Sequence, residues 1–170
     1  MFRRLAFPLI FLIAFWGNSQ DSAIYSLGAD FNYHPQDFFF HVRGQISNKN
    51  LAQDVFIGFG INKTVFQGQF RPGAGYDIGY NFHLANWFSI KPYFRVIYST
   101  LNTKVPVKHP FIHTTEGFFA GALIFGKQSK FSLNAGIGPA VEWKYDAYLQ
   151  KRNHFFMWNY FIGLTYYYAL

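Results

Sequence analysis

The sequence contains no cysteine, few charged residues and no long hydrophobic run after its first 20 residues, and each absence excludes a class of protein. Without cysteine the chain has neither a disulfide framework nor a thiolate metal site. After residue 20 no apolar stretch approaches the roughly 18 residues of a spanning helix, and no segment keeps helical spacing of apolar residues. The protein is therefore neither a disulfide-rich scaffold nor a bundle of membrane helices.

Aromatic residues are unusually abundant: 23 Phe, 12 Tyr and 4 Trp among 170 residues, of which only 14% are charged. So many large apolar side chains exclude a disordered chain, and the length fits one domain. The mean hydropathy is nevertheless only +0.01. This combination indicates that apolar and polar residues alternate instead of clustering.

The N-terminus has the layout of a secretory signal peptide. Arg3 and Arg4 give a basic start, an apolar run follows over 5–16, and Gly17 begins a short stretch of small and polar residues. The apolar run is too short to cross a hydrocarbon core of about 30 Å. We predict a cleaved signal peptide over residues 1–20 and a mature chain over 21–170. With no cysteine after the run, a lipoprotein is excluded.

A period-two alternation runs through the mature chain. In segment 74–84, for example, aromatic and aliphatic residues alternate with small or polar ones, which is typical of a strand with one apolar face. Eight such segments lie near the roughly 9–11 residues that a tilted strand needs to cross a bilayer. They are 23–33, 38–46, 51–61, 74–84, 88–99, 116–126, 131–146 and 155–170. Segment 116–126 has apolar or small residues on both faces, so its facing stays open.

The connections alternate in length, which predicts an up-and-down arrangement. Short turns at 47–50, 85–87 and 126–130 alternate with long loops at 62–73, 100–115 and 147–154, and 34–37 is a short exception among the loops. This plan is typical of an outer-membrane barrel. We predict an all-β fold: an eight-stranded antiparallel up-and-down transmembrane β-barrel in the outer membrane, with both termini in the periplasm.

The aromatic face distinguishes this barrel from a soluble one. A soluble eight-stranded barrel, such as a lipocalin, would turn its apolar residues inward. Water does not tolerate a continuous belt of exposed aromatics, whereas lipid does, and closure of the sheet removes unpaired edges. Aromatic residues near the segment ends fit two interfacial girdles: Tyr33, Trp87, Tyr98, Trp143, Tyr145, Trp158, Tyr166 and Tyr168.

On these features the whole mature region resembles the small eight-stranded outer-membrane proteins of Gram-negative bacteria, the OmpA-barrel and OmpX-like type. The features are the signal segment, the eight alternating segments and the aromatic last strand from Asn159 to Leu170. The resemblance implies that the barrel-assembly machinery reads this last strand, although it ends in Leu170 instead of an aromatic residue. The resemblance is architectural and carries no catalytic residues.

The second face of the strands predicts a polar lumen. Hairpin registers set by the turns at 85–87 and 47–50 place opposite charges opposite each other. The expected pairs are Asp77 with Arg95, Asn81 with Lys91, and Arg43 with Asp54. The full polar network consists of Asp30, Arg43, Asp54, Asp77, Lys91, Arg95, Glu142 and Lys144, with Asp146 on the same face. We interpret it as a structural plug instead of an ion path or an acid–base site, because eight strands enclose only enough room for side chains.

The remaining basic residues fall on the predicted loops: Lys63, Arg71, Lys104, Lys108, Lys151 and Arg152, against Asp37. Ordinary solvated loop charge is one interpretation. A sharper hypothesis is contact with lipopolysaccharide phosphates, since a basic residue beside an anionic surface gains about 1 kcal/mol. Nucleic acid is not indicated, because export and membrane placement account for the charge.

Two other functions stay open. One is an enzyme: some barrels of this size hydrolyse or transfer acyl chains of lipid A with a His and a Ser near the outer rim. No His-x-Ser pair occurs in any predicted strand of this chain. A Ser–His–acid group can nevertheless assemble from distant strands. The other is an accessory subunit of a larger envelope complex. His109 and His113 have no carboxylate or cysteine nearby, so no metal site and no cofactor is predicted. The sequence leaves the specific ligand and the oligomeric state undetermined.

Overall fold

A computed structural model of the protein describes residues 23–35, 37–48, 50–62, 69–102, 111–146 and 151–170. The predicted signal segment 1–20 lies outside these residues. Within the described part of the chain, no helix is long and apolar enough to span a membrane.

Nine strands are assigned among the described residues. In chain order they are β1 (Ala23–Tyr33), β2 (Asp37–Asn48), β3 (Leu51–Asn62), β4 (Phe70–Tyr80), β5 (Phe82–Ala85), β6 (Phe88–Asn102), β7 (Phe111–Phe125), β8 (Ser129–Asp146) and β9 (Lys151–Ala169).

These strands form one antiparallel sheet that closes on itself. Except for β4 and β5, successive strands pair with each other, β9 returns to pair with β1, and β4 pairs directly with β6. The short β5 continues the line of β4 beyond Asn81, so β4 and β5 together fill one position in the wall. The fold is therefore the predicted all-β, eight-stranded antiparallel closed barrel.

The two ends of the barrel differ. We call one the turn end, because it holds the tight β2–β3, β5–β6 and β7–β8 connections and both ends of the described chain. The other, which holds the β1–β2, β3–β4, β6–β7 and β8–β9 connections, is the loop end. At the turn end Gly126 has a φ of +107°, a left-handed conformation that favours glycine. Its N–H donates to the carbonyl of Trp87 at 2.8 Å, which ties two neighbouring turns together.

The alternation of the sequence becomes an outward and an inward face. Along β9, Leu164, Tyr166 and Tyr168 are exposed, whereas Thr165 and Tyr167 between them are buried. Most exposed large apolar side chains of the described residues lie on such outward strand positions. The barrel thus carries an apolar and aromatic exterior around a partly polar interior.

Segment 116–126, whose facing the sequence leaves open, lies in β7 except for Gly126, and the burial of its side chains shows which residues face inward. Glu116, Phe118 and Ala122 are buried in the lumen, whereas Phe119 and Leu123 are exposed on the outside. Even-numbered residues of this strand therefore point inward.

Several strands extend further toward the loop end than the sequence predicts, so the predicted strands are too short there. Residues 70–73, 100–102, 111–115 and 151–154, predicted as loop, belong to β4, β6, β7 and β9. The backbone ladder continues there, pairing Phe70 with Ile61 and Asn102 with Phe111. Backbone pairing does not depend on a strict alternation of side chains, so the pattern underestimates strand length.

The predicted β2–β3 register is also wrong, by two residues. Arg43 lies opposite Phe56, and Asp54 lies opposite Gln45. A shift of two residues keeps every side chain on its face, so the alternation cannot distinguish the two registers.

The lumen holds more aromatic rings than the sequence pattern indicates. Phe56 and Phe161 are completely or almost completely buried there, as are Phe39 and Phe118. Glycines on neighbouring strands make room for these rings: a Cβ atom on Gly75 would overlap the ring of Phe56. The interior is therefore packed with rings and charges together.

Candidate functional site in the barrel lumen

Two arginines and two aspartates form the centre of the lumen. Arg43 donates from Nη1 to Asp30 Oδ2 at 2.8 Å and from Nη2 to Asp77 Oδ2. Arg95 binds the same Asp77 with two parallel hydrogen bonds, Nε to Oδ1 and Nη2 to Oδ2, each 2.8 Å long. All four side chains are buried. The paired guanidinium groups thus share the two carboxylates.

A second node is centred on Asp54. Its carboxylate accepts hydrogen bonds from Lys91 Nζ at 3.1 Å, from Gln45 Nε2 at 3.1 and 3.3 Å, and from the hydroxyl of Tyr167. Arg43 Nε lies 4.0 Å away and links this node to the first. We call the two nodes together the ionic plug: Asp30, Arg43, Asp54, Asp77, Lys91 and Arg95. It contains three carboxylates and three cations, so its charges balance.

Aromatic faces cover the guanidinium groups where carboxylates do not. Arg95 Cζ lies 4.6 Å from the ring centre of Phe161 and 5.2 Å from that of Phe56, and Arg43 Cζ lies 4.7 Å from Phe56. A cation over a ring face is attracted by the ring quadrupole, more strongly when water is excluded. This explains why the inward phenylalanines and the buried charges occur at the same level.

The ionic plug spans the full width of the barrel. In the ring of eight, β1 and β6 stand opposite each other. Arg95 on β6 nevertheless reaches β1, because Nη2 lies 3.6 Å from Asp30 Oδ2 and Nη1 lies 3.4 Å from Asn32 Oδ1. His41 Nδ1 adds a bond of 2.6 Å to Asp30 Oδ1. Side chains therefore cross the lumen from wall to wall.

Arg71 does not belong to the outer-loop basic patch in which its sequence position placed it. It lies in β4, is buried, and binds Asp37, Ser99 and Thr114. Because β4 begins at Phe70, Arg71 is part of the strand; it lies an even number of residues before the inward Asp77 and so faces the lumen, where Asp37 supplies the opposite charge. Asp37, expected as a loop charge, is likewise buried.

Glu142 and Lys144 do not join the ionic plug. They lie near the loop end of β8, where Lys144 is exposed and stacks on Phe155 at 4.3 Å. Lys151 and Arg152 are exposed at the start of β9. Outside the described part of the structure lie Lys63, Lys104, Lys108, His109 and the side chain of Asp146.

Some lumen residues were missed by the sequence reasoning. Glu116 accepts a hydrogen bond from Asn159 and is buried, but its strand had no assigned facing. The carboxylate of Glu116 could have assigned the facing of this strand. A carboxylate directed at lipid costs more free energy than one in the lumen, so the even-numbered residues of β7 are expected to face inward. Tyr167, which the alternation marks only as part of the last strand, donates its hydroxyl to Asp54 in the lumen.

A histidine and a serine of the described chain form a hydrogen-bonded pair at the turn end, where His83 Nδ1 lies 2.8 Å from Ser89 Oγ. Both residues line a cavity of about 200 Å³ together with Lys127 and Lys130. No carboxylate lines this cavity, so its lining supplies no third member of a catalytic triad. Among the described residues no group of three or more His, Cys, Asp or Glu is placed to hold a metal ion.

Comparison with known proteins gives a structural likeness without a sequence family. No protein-family model matches the chain, and no curated protein sequence matches it significantly. Among solved structures, the crystal structure of a major outer membrane protein from Thermus thermophilus is similar, with a TM-score of 0.53 at 10% identity. The match covers 88% of this chain and 100% of that chain. The protein is thus a small closed β-barrel that resembles an outer-membrane protein.

Proposed function

We propose that this chain is an integral outer-membrane protein of the small eight-stranded OmpA-barrel and OmpX-like type, which acts through its loop-end surface. The observation that carries this proposal is the wall-to-wall ionic plug, in which Arg95 bridges opposite strands. A lumen filled in this way leaves no path for solutes through the barrel, and the ionic plug itself offers no open site for a substrate. The proposed function then belongs to surfaces outside the plug.

The β9 strand supplies a surface suited to such a role. Its pairing with β1 ends where Ile162 meets Tyr33, so among the described strands residues 154–161 of β9 pair only with β8. Unpaired backbone groups in hydrocarbon cost several kcal/mol each, so in this proposal the stretch lies beyond the hydrocarbon layer. On it Phe156 and Trp158 are 65% and 68% exposed. A free edge flanked by exposed aromatics favours pairing with an extended segment of another envelope protein.

The charges at the same end support an outward orientation. Lys151 and Arg152 are exposed there, where they would meet the phosphate groups of lipopolysaccharide. In this orientation the turn end, with both ends of the described chain, faces the periplasm. The signal peptide over 1–20 and reading of the last strand by the barrel-assembly machinery belong to the same proposal.

The proposal is tested by photo-crosslinking in intact cells. A photoreactive residue replaces Phe156 or Trp158 on the free edge, and Leu133, which is outward but paired on both sides, is the matched control. We expect both edge positions to give the same protein adduct in the outer-membrane fraction, and Leu133 to give none. Identical adducts from all three positions, or no adduct from the edge positions, would contradict a role at this surface.

Orientation is tested in the same cells with a membrane-impermeant thiol reagent. Because the chain has no cysteine, Arg152→Cys and Lys127→Cys each introduce a unique thiol, one at each end of the barrel. We expect labelling of Arg152→Cys alone before the cells are broken. Labelling of Lys127→Cys alone would reverse the orientation.

A further inference from the structure

The cavity at the turn end has a chemistry of its own. It has a volume of about 200 Å³ and lies between the β5–β6 and β7–β8 turns. Its wall includes Asn81, His83, Ser89, Lys127, Lys130 and Tyr167. We call it the mouth cavity. It adjoins the Asp54 side of the ionic plug, because Gln45 and Tyr167 line the cavity and both donate to Asp54.

The mouth cavity carries uncompensated positive charge. Lys127 and Lys130 line it, no carboxylate does, and among the described residues neither lysine makes an ion pair. The carboxylate beneath it, Asp54, is already bound by Lys91, Gln45 and Tyr167. The two lysine charges therefore remain available to a ligand.

The position of Lys130 in β8 shows that its side chain points inward and not toward the surrounding lipid. Ser132 and Asn134, which follow on the same face of β8, are buried in the lumen, and Lys130 lies opposite the inward Tyr167. Its ammonium group is thus on the inner side of the wall, directed at the cavity instead of at lipid headgroups around the barrel.

One atom of a buried amide in the cavity wall is also without a hydrogen-bond partner. Asn81 is only 8% exposed, its backbone N–H is fixed by a hydrogen bond of 2.7 Å to the carbonyl of Asn50, and its Oδ1 has no hydrogen-bond partner. Leaving a buried polar atom unsatisfied is costly, so a ligand that binds it gains affinity. Oδ1 of Asn81 can accept a hydrogen bond from a protonated oxygen of a ligand. If the amide plane rotates, Nδ2 takes its place and donates to an anionic oxygen.

We propose that the mouth cavity binds a phosphate group. Phosphate combines negative charge for Lys127 and Lys130 with oxygen atoms for Asn81 and for the paired His83 and Ser89. Two sources share this chemistry: a small phosphate ester in solution, and the headgroup of a phospholipid beside the barrel. The second is accessible because Leu84 and Trp87, next to the cavity, are exposed on the outward side.

The test uses the full chain, folded in a detergent without phosphate, and follows the backbone amide signals of Asn81, His83 and Ser89 by NMR. Inorganic phosphate is titrated at constant ionic strength with sodium chloride as the balancing salt. In a second arm, the protein is placed in nanodiscs of an uncharged glycolipid in which the fraction of phosphatidylglycerol is raised in steps. We expect a saturable shift of these signals in at least one arm, and the arm that responds identifies the source.

The variant Lys127→Gln/Lys130→Gln weakens that binding by roughly tenfold or more, because it removes two charge-assisted contacts. The control variant Lys151→Gln/Arg152→Gln, at the loop end, leaves it unchanged. Heat-modifiable migration on gels verifies that both variants are folded. The proposal is overturned if neither arm gives a saturable shift, or if the shift persists in the folded Lys127→Gln/Lys130→Gln protein.

Discussion

At the scale of single residues, the buried charges of the lumen depend on one another. Asp77 accepts hydrogen bonds from both Arg43 and Arg95, and both guanidinium groups are withdrawn from water. Desolvation of such groups is compensated only while the carboxylate is present. Asp77 is therefore the residue on which the plug depends most.

We expect Asp77→Asn to lower the free energy of unfolding by about 3–5 kcal/mol, since it leaves two buried cations with one carboxylate fewer. The measurement is the urea midpoint of the full chain in lipid vesicles, compared with Lys151→Gln, whose side chain is exposed at the loop end. The control is expected to stay within about 0.5 kcal/mol of the wild type. A midpoint for Asp77→Asn equal to that of the control would show that the ion pairs contribute no net stability.

At the scale of strands, the register of the β2–β3 hairpin has a direct chemical test. Val42 lies opposite Ile57, both on the outward face, whereas the register expected from the sequence would place Val42 opposite Val55. Because the chain has no cysteine, any disulfide formed by two introduced thiols is unambiguous.

We expect Val42→Cys/Ile57→Cys to form an intramolecular disulfide, seen as a shift on non-reducing gels. Directly opposite residues have Cβ atoms about 4.5–5.5 Å apart, within the range that a disulfide bridges, whereas diagonal neighbours are about 7–8 Å apart. Val42→Cys/Val55→Cys is the matched control and stays reduced. If the control pair were oxidised preferentially, the register predicted from the sequence, with Val42 opposite Val55, would be correct.

The sequence pattern predicts strands and faces well, because alternation records which side of each strand is polar. It also predicts that Asp77 and Arg95 lie opposite each other, since that hairpin register follows from its turn. It does not predict contacts across the lumen, such as Arg43 with Asp77 or Arg95 with Asp30, because these depend on the curvature of the closed sheet. Arg71 was misplaced because backbone pairing extends β4 beyond the visible alternation.

At the scale of the whole molecule, the barrel combines an apolar exterior with charges that are neutralised inside. The three carboxylates and three cations of the ionic plug balance, and Asp37 neutralises Arg71 nearer the loop end. Among the described residues, basic side chains without an ion pair lie at the two ends, including Lys127 and Lys130 at the mouth cavity and Lys151 and Arg152 at the loop end. This distribution agrees with a barrel whose interior is structural and whose contacts are made at its ends.

A barrel of this kind is expected not to conduct ions. An eight-stranded barrel encloses a lumen just wide enough for side chains, and here Arg95 bridges its full width to Asp30 and Asn32. Ions could pass only if several buried ion pairs separated together, at a free-energy cost of several kcal/mol for each charge left unpaired. In planar bilayers we therefore expect no stable channels of large conductance, whereas a sixteen-stranded porin inserted under the same conditions gives them. Stable large-conductance steps that increase with the amount of folded protein would show that the plug opens. The lumen would then be a conduction path, and the proposal of a function at the barrel surface would be wrong.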